Sequence, residues 1–218
     1  MRVVALSVST PRVTTYQGRS VSTGIFNVPV QGLRKVRRNN IDGDRQADLK
    51  LHGGPLKAVY AFPFEHYAFY QRELQQDNYP YGHFGENLTT KGMLETDVRI
   101  GDRYQIGGAV LEVSQPRSPC FKFGIKMGAR DAIKICLKSG RTGFYLRVLT
   151  EGHIQATDAI HLLHRDVAAP SVRSVHDVYF FDKANLDALT QATGCAALGP
   201  AFKDELRARI KALNAWSN

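Results

Sequence analysis

The sequence predicts a mainly β protein of the α+β class, with a small helical domain at its end. Short runs rich in valine, isoleucine and phenylalanine alternate with polar, glycine-containing stretches, a pattern typical of strands and turns. The pattern changes after Ala168-Ala169-Pro170, where apolar residues recur at the spacing of helices. We therefore predict a β domain over residues 1–167 and a helical domain over residues 168–218.

The elements of the β domain follow from local patterns. Strands are predicted over residues 2–9 and 24–30, on either side of a polar stretch that contains Gly18. A helix is predicted after Pro63, because proline suits a first helical turn and apolar residues recur at a helical period up to Leu74. Gly107-Gly108 is a hairpin signal. The other predicted elements are the hairpin strands 98–104 and 109–113, an amphipathic segment at 131–137, and strands at 144–149 and 159–163.

Three short helices are predicted in the second domain, at residues 172–181, 183–192 and 201–213. Asp182 is predicted to cap the second helix and Gly194 to end it, while Gly199-Pro200 opens the third. Helices this short need each other or the β domain to bury their apolar faces.

Composition limits the classes of function. The formal net charge is +9, which can serve a nucleic acid, an anionic membrane surface or an anionic small ligand. No homeodomain, RNP or zinc-finger pattern is present, and no apolar run is long enough to cross a bilayer. We therefore expect neither a nucleic-acid polymer nor a membrane as partner. The three cysteines are widely spaced and odd in number, which argues against a disulfide framework and predicts a cytoplasmic protein.

The stretch from Ser114 to Lys122 carries the clearest chemical signal. Pro116 and Pro119 fix φ and disfavour helix in the preceding residues, so the backbone should be stiff and extended. Cys120 lies between Arg117 and Lys122, and neighbouring cations favour the thiolate, which is the nucleophile and the metal ligand. The pattern fits a soft metal site or a covalent catalyst. A small buried structural cysteine is the alternative.

Five motifs in order resemble the MOSC-domain family, which is named for the C-terminal domain of molybdenum-cofactor sulfurase. The predicted helical end makes the chain similar to the YiiM-like branch, which joins a MOSC domain to a three-helix 3-alpha domain. The motifs are Gly43–Asp48, His52–Gly54, Phe84–Leu88, Gly101-Asp102 and Pro116–Lys122. The resemblance implies a MOSC-type β-barrel and a molybdenum cofactor ligated by Cys120. It also implies an oxidoreductase that cleaves the N–OH bond of N-hydroxylated bases, such as 6-N-hydroxylaminopurine, with release of water.

The resemblance further implies a set of cofactor-binding residues. Cations suit the anionic cofactor, and backbone amides of a glycine pair can approach a phosphate or pterin closely. Two polar residues could bind the pterin or only cap their own bend, and His52 could protonate the leaving hydroxyl or only tie down its loop. The cations are Arg45, Arg117, Lys122 and Arg141, the glycines are Gly53 and Gly54, and the polar residues are Glu86 and Asn87.

One position departs from the family pattern. The family often has a lysine after the stretch that corresponds to Thr23–Phe26, where this chain has Asn27. If that lysine helps to hold the anionic cofactor, the chain binds it more weakly or uses another cation in its place.

The electrons for such a reaction are expected from a separate reductase, which the basic surface could dock. The chain has neither a GxGxxG motif after a strand nor an iron–sulfur set of cysteines. The helical domain could pack on the β domain, mediate a homodimer or receive the donor. Two other functions stay open: a non-catalytic carrier of the cofactor or of sulfur, and a sulfur transferase that forms a persulfide on Cys120.

Overall fold

The computed structural model describes residues 1–48 and 53–216, and its architecture is the predicted mainly β class with helices at the end. The strands of this part of the chain are β1 (Arg2–Val8), β2 (Arg12–Tyr16), β3 (Arg19–Thr23), β4 (Val28–Pro29), β5 (Arg34–Arg37), β6 (Asn40–Ile41), β7 (Val59–Pro63), β8 (Leu88–Lys91), β9 (Arg103–Ile106), β10 (Ala109–Pro116), β11 (Phe144–Thr150), β12 (Gly152–Ile154) and β13 (Ile160–His164). The α-helices are α1 (Tyr67–Leu74), α2 (Phe121–Met127), α3 (Ala132–Ser139), α4 (Val172–Phe180), α5 (Leu186–Gly194) and α6 (Pro200–Trp216).

The main sheet curls into a barrel. Its eight strands run in the order β13-β9-β10-β11-β7-β8-β1-β4, and among them only β7 and β8 pair in parallel. The far end of β1 returns to the first strand, because Arg2 forms a bridge with Ala159 immediately before β13. The amide of Ile160 also donates to the Met1 carbonyl. The N–O distance of 3.0 Å is typical of a backbone hydrogen bond.

The helical segment packs directly on this barrel, which is one of the three arrangements left open above. Val172 and Val175 of α4 and Leu206 of α6 are fully buried in the same apolar cluster as Val113 of β10. The entry to α4 is also tied to the barrel, since the amide of Val172 donates to the Val98 carbonyl at 2.8 Å. The barrel and the helices therefore share one continuous core.

A second, aromatic core lies beneath α1 and α2. Phe62 of β7 stacks on Phe84 with ring centroids 4.3 Å apart, and Phe123 of α2 is buried against the same group. A buried phenylalanine contributes on the order of 2 kcal/mol through its burial. This core fixes α2, and with it the turn that carries Cys120.

Several local predictions differ from the structure. The strand expected at 24–30 is reduced to β4, and the polar stretch around Gly18 is a hairpin of β2 and β3 whose turn has Gln17 and Gly18 at positive φ. Helix α2 was not predicted. Asn185, rather than Asp182, caps α5 by accepting from the Ala188 amide, because the helix begins later than expected. Gly194 is the last residue of α5, and the cap after it is Cys195 in an extended conformation.

None of the described helices has the length and apolar character needed to cross a bilayer.

The aromatic core holds a histidine whose protonation the fold opposes. Burial, together with the charge of Lys126, lowers the pKa of His83 to about 4. Its Nε2 is buried without a hydrogen-bond partner, and its ring packs on that of Tyr79 with centroids 4.4 Å apart. In the unfolded chain the same imidazole titrates near pH 6.5. The folded state therefore loses stability as the pH falls from about 6.5 to about 4, because only the unfolded state takes up the proton.

We predict that His83→Gln reduces this acid sensitivity. Urea unfolding at pH 7.5 and pH 4.5 should show that the wild type loses on the order of 2 kcal/mol more than the variant over this range. His161→Gln, at an exposed histidine of β13, is the control and should behave as the wild type. Equal losses in wild type and His83→Gln would contradict the prediction.

Candidate functional site

Cys120 is presented at the junction between a strand and a helix. Strand β10 ends at Pro116, the next residues have no regular structure, and Cys120 is the N-cap of α2 with an extended backbone at φ −115° and ψ 177°. The thiol is half-buried, and Phe123 anchors the first turn of the helix in the aromatic core. None of the three cysteines forms a disulfide. The stiff, extended presentation expected from the two prolines therefore leads straight into a short helix.

Cys120 lines a cavity of about 100 Å³ that is partly open to solvent. Five of the residues predicted from the sequence line it together. They are Arg45, Asn87, Arg117, Cys120 and Lys122. The cavity walls come from the segment before β4, the loop after β6, and the ends of β7, β10 and β11. Residues distant in sequence thus converge on one chemical site.

Arg117 is the most unusual residue of the cavity. Its side chain is only 5% exposed, and Nη1 is buried without a hydrogen-bond partner. The guanidinium lies over the rings of Phe123 and Tyr60, at 4.6 and 5.1 Å from their centroids. No carboxylate of the described residues forms an ion pair with it. A buried cation without a counter-charge is costly, so this arrangement favours an anion in the cavity.

Lys57 adds a fourth cation, which belongs to none of the sequence motifs. It ends a single 3-10 turn, Pro55–Lys57, and its side chain lines the cavity. Burial lowers the pKa of Lys57, and the charge of Asp48 opposes that effect. The ammonium lies 6.0 Å from the centre of the Tyr145 ring. Lys57 therefore places positive charge in the cavity even though Asn27 stands where the family often has lysine.

The Asn27 side chain binds the backbone of the neighbouring bend. Its Nδ2 donates to the Glu86 carbonyl at 2.9 Å and to the Gly85 carbonyl at 3.3 Å. Asn87 is also engaged with the backbone, because its Oδ1 accepts from the Tyr60 amide at 3.0 Å. The two amides hold the 85–87 bend against the strands that form the cavity wall.

The Glu86 carboxylate lies away from the cavity, in the protein interior. It accepts hydrogen bonds from the amides of Gly82 at 2.9 Å and Phe84 at 3.0 Å, from the Thr89 hydroxyl at 2.8 Å and from the Tyr67 phenol. Burial raises the pKa of Glu86, while these donors oppose the shift. The carboxylate therefore shapes the bend before Asn87, which is the capping role weighed above, and Glu86 is not among the residues that line the cavity.

Three further predicted residues are not among those that line the cavity in the described structure. Gly53 and Gly54 precede the Pro55–Lys57 turn, with Gly54 at φ +87°, a conformation that favours glycine. Arg141 lies over the ring of Phe69, with its guanidinium 4.0 Å from the centroid. His52, predicted as a proton donor and cofactor ligand, lies outside the described residues.

Two tyrosines on paired strands complete the wall. Tyr60 of β7 and Tyr145 of β11 are register partners, and their ring centroids are 5.4 Å apart. The Tyr60 hydroxyl donates to the Thr142 carbonyl at 2.7 Å. Burial raises the pKa of Tyr145 although the charge of Arg117 opposes it, so the phenol is protonated at neutral pH. A register between the two strands would have revealed this pair, but neither tyrosine belongs to a sequence motif.

Comparisons with known proteins agree with this architecture. The family model described as MOSC domain matches residues 48–161, and that described as YiiM-like, 3-alpha helix domain matches residues 170–212. The chain is 38% identical to the protein YflK of Bacillus subtilis over 203 residues, which cover 92% of this chain and 90% of YflK.

The chain is also similar to a fungal protein and to a solved bacterial structure. It is 35% identical over 179 residues to a protein of Gibberella moniliformis named a reductase, and the match covers 81% of this chain but 32% of the fungal protein. The crystal structure of YiiM from Geobacillus stearothermophilus superposes with a TM-score of 0.82 at 32% identity, over 96% of this chain and 98% of that one.

Proposed function

The chain belongs to the MOSC-domain family and carries the YiiM-like 3-alpha helix domain, and from this premise we propose that it is a molybdenum-cofactor-dependent reductase of N-hydroxylated compounds. The observation that carries the proposal is the buried, incompletely bonded Arg117 in the same cavity as the Cys120 thiol. A soft thiolate ligand and an uncompensated cation are the two features that an anionic metal–dithiolene group requires.

The residues of the cavity fit the cofactor. Cys120 would supply the protein ligand to molybdenum, and Arg117 would donate charge-assisted hydrogen bonds to an anionic part of the pterin. Lys57, Lys122 and Arg45 add positive charge around them. When bound, the cofactor supplies a centre that exchanges two electrons with the substrate.

The proton chemistry falls to the chain itself. Reduction of R–NHOH to R–NH2 and water consumes two electrons and two protons, and one proton must reach the departing hydroxyl. Tyr145 and Lys57 both line the cavity as proton donors, the former with a protonated phenol and the latter as an ammonium whose pKa is lowered by burial. These two groups are our candidates for the role first assigned to His52.

The electrons are proposed to come from a separate reductase with an acidic docking face. The net charge of +9 favours such a partner through long-range attraction. The similarity to the fungal protein supports redox chemistry, because that protein is named a reductase.

The test is turnover by protein from a host that makes molybdenum cofactor. With 6-N-hydroxylaminopurine and reduced methyl viologen, we expect 6-aminopurine to form while two viologen radicals are oxidised per base. Protein from a strain of the same host that lacks the cofactor is the control and should be inactive. Bound molybdenum without turnover would overturn the reductase in favour of a carrier, and a persulfide on Cys120 without molybdenum would favour a sulfur transferase.

A further inference from the structure

The turn between α5 and α6 rests on the strand that leads to the cavity. The amide of Gly199 donates to the Ser114 carbonyl of β10 at 3.2 Å. A Cβ atom at Gly199 would lie 2.5 Å from Oε1 of Gln115 and 3.6 Å from Cδ1 of Leu56. A side chain at this position would therefore force the end of the buried Gln115 side chain to move.

The same contact reaches two cations of the cavity. The Ser114 hydroxyl lies on the contact strand and is within hydrogen-bond distance of two carbonyl oxygens, that of Leu56 at 2.6 Å and that of Tyr145 at 3.1 Å. Leu56 is the central residue of the turn that ends at Lys57. Gln115 is followed by Pro116 and Arg117, so it is two residues away from the buried guanidinium. From the strand that Gly199 contacts, the Ser114 hydroxyl thus leads to the turn of Lys57, and the end of β10 leads to Arg117.

We propose that the α5–α6 turn is a positioning element of the cavity: its contact with Ser114 and Gln115 sets where Lys57 and Arg117 stand relative to Cys120. The helical domain then contributes to the positive field at the thiol without lining the cavity. This inference goes beyond the proposed function, and it concerns the chain with or without its cofactor.

The test compares an anionic and a neutral alkylating agent at Cys120. The full-length protein is produced without molybdenum cofactor, and the rates of Cys120 alkylation by iodoacetate and by iodoacetamide are followed by peptide mass spectrometry. Cations near the thiol raise the local concentration of iodoacetate but not of iodoacetamide, so the ratio of the two rates reports the field. Gly199→Ala should lower this ratio at least about threefold, because displaced cations act more weakly over a longer distance.

Two further variants make the outcome decisive. Ser114→Ala removes the hydroxyl without adding bulk and should lower the ratio in the same direction. Gly92→Ala is the control outside this turn, since its Cβ would meet Cγ of Met1 at 3.3 Å and its φ of +86° makes the change destabilising. It should lower the melting temperature and leave the ratio unchanged. A wild-type ratio in both Gly199→Ala and Ser114→Ala would overturn the proposal, and Ser114→Ala alone decides if Gly199→Ala does not fold.

Discussion

Replacement of Arg117 by methionine is expected to stabilise the protein without cofactor and to remove its capacity to retain the cofactor. The guanidinium is buried, Nη1 has no hydrogen-bond partner, and no carboxylate in the described part of the chain pairs with it. Methionine keeps a similar volume in contact with Tyr60 and Phe123 without the cost of burying a charge. We expect the free energy of unfolding to rise by about 1–2 kcal/mol and the affinity for the cofactor to fall about 100-fold.

The two effects are measured separately. Urea unfolding of cofactor-free protein gives the stability, and molybdenum content after production in a cofactor-competent host gives the retention. Arg130→Met, at an exposed arginine, is the matched control and should change neither quantity. A loss of stability in Arg117→Met would mean that the guanidinium is an anchor for the aromatic rings, and would contradict its assignment as an anion ligand.

A gain in stability together with a loss of cofactor binding is the expected result for a site whose buried cation binds an anion. Natural proteins tolerate such local costs where function requires them. By contrast, Glu112 is buried and pairs with Arg103 at 2.7 Å and with Arg147. The difference between the two buried groups is that Glu112 has its counter-charges within the fold, whereas no described carboxylate pairs with Arg117.

The parts of the fold that the sequence predicted correctly are those with a strong local pattern. The hairpin around Gly107-Gly108 joins β9 and β10, and Gly199-Pro200 opens α6. The β2–β3 hairpin was missed because its strands are largely exposed, so no alternation of apolar and polar residues marks them. Helix α2 was missed because its seven residues are too few for a helical repeat of apolar residues to be recognised.

The residues of the site likewise divide into those that a local motif reveals and those that only the fold brings together. Cys120, Arg117 and Lys122 could be selected because one motif contains them, and they do line one cavity. Lys57 and Tyr145 could not, because only the folded chain brings these residues, distant in sequence from Cys120, to the same cavity. Glu86 has the residue type of a ligand, but its orientation depends on burial, which a single sequence does not reveal.

Removal of the Cys120 thiol is expected to have the largest effect on the proposed function. Cys120→Ala should contain less than about a tenth of the wild-type molybdenum after purification, since the variant loses the only strong soft ligand proposed for the metal. Its free energy of unfolding should stay within about 0.5–1 kcal/mol of the wild type, because the thiol is half-buried and accepts no capping hydrogen bond from the first turn of α2.

The other cysteine near the aromatic core provides the control. Cys136 is buried in α3, and burial raises the pKa of its thiol, which keeps it protonated and unsuited to bind a metal. Cys136→Ala should therefore retain molybdenum while losing stability, the reverse of Cys120→Ala. Wild-type molybdenum in Cys120→Ala would show that the metal is held elsewhere. Because Cys120 is half-buried and Cys136 is buried, a reversed pattern of this kind assigns the ligand from one pair of variants.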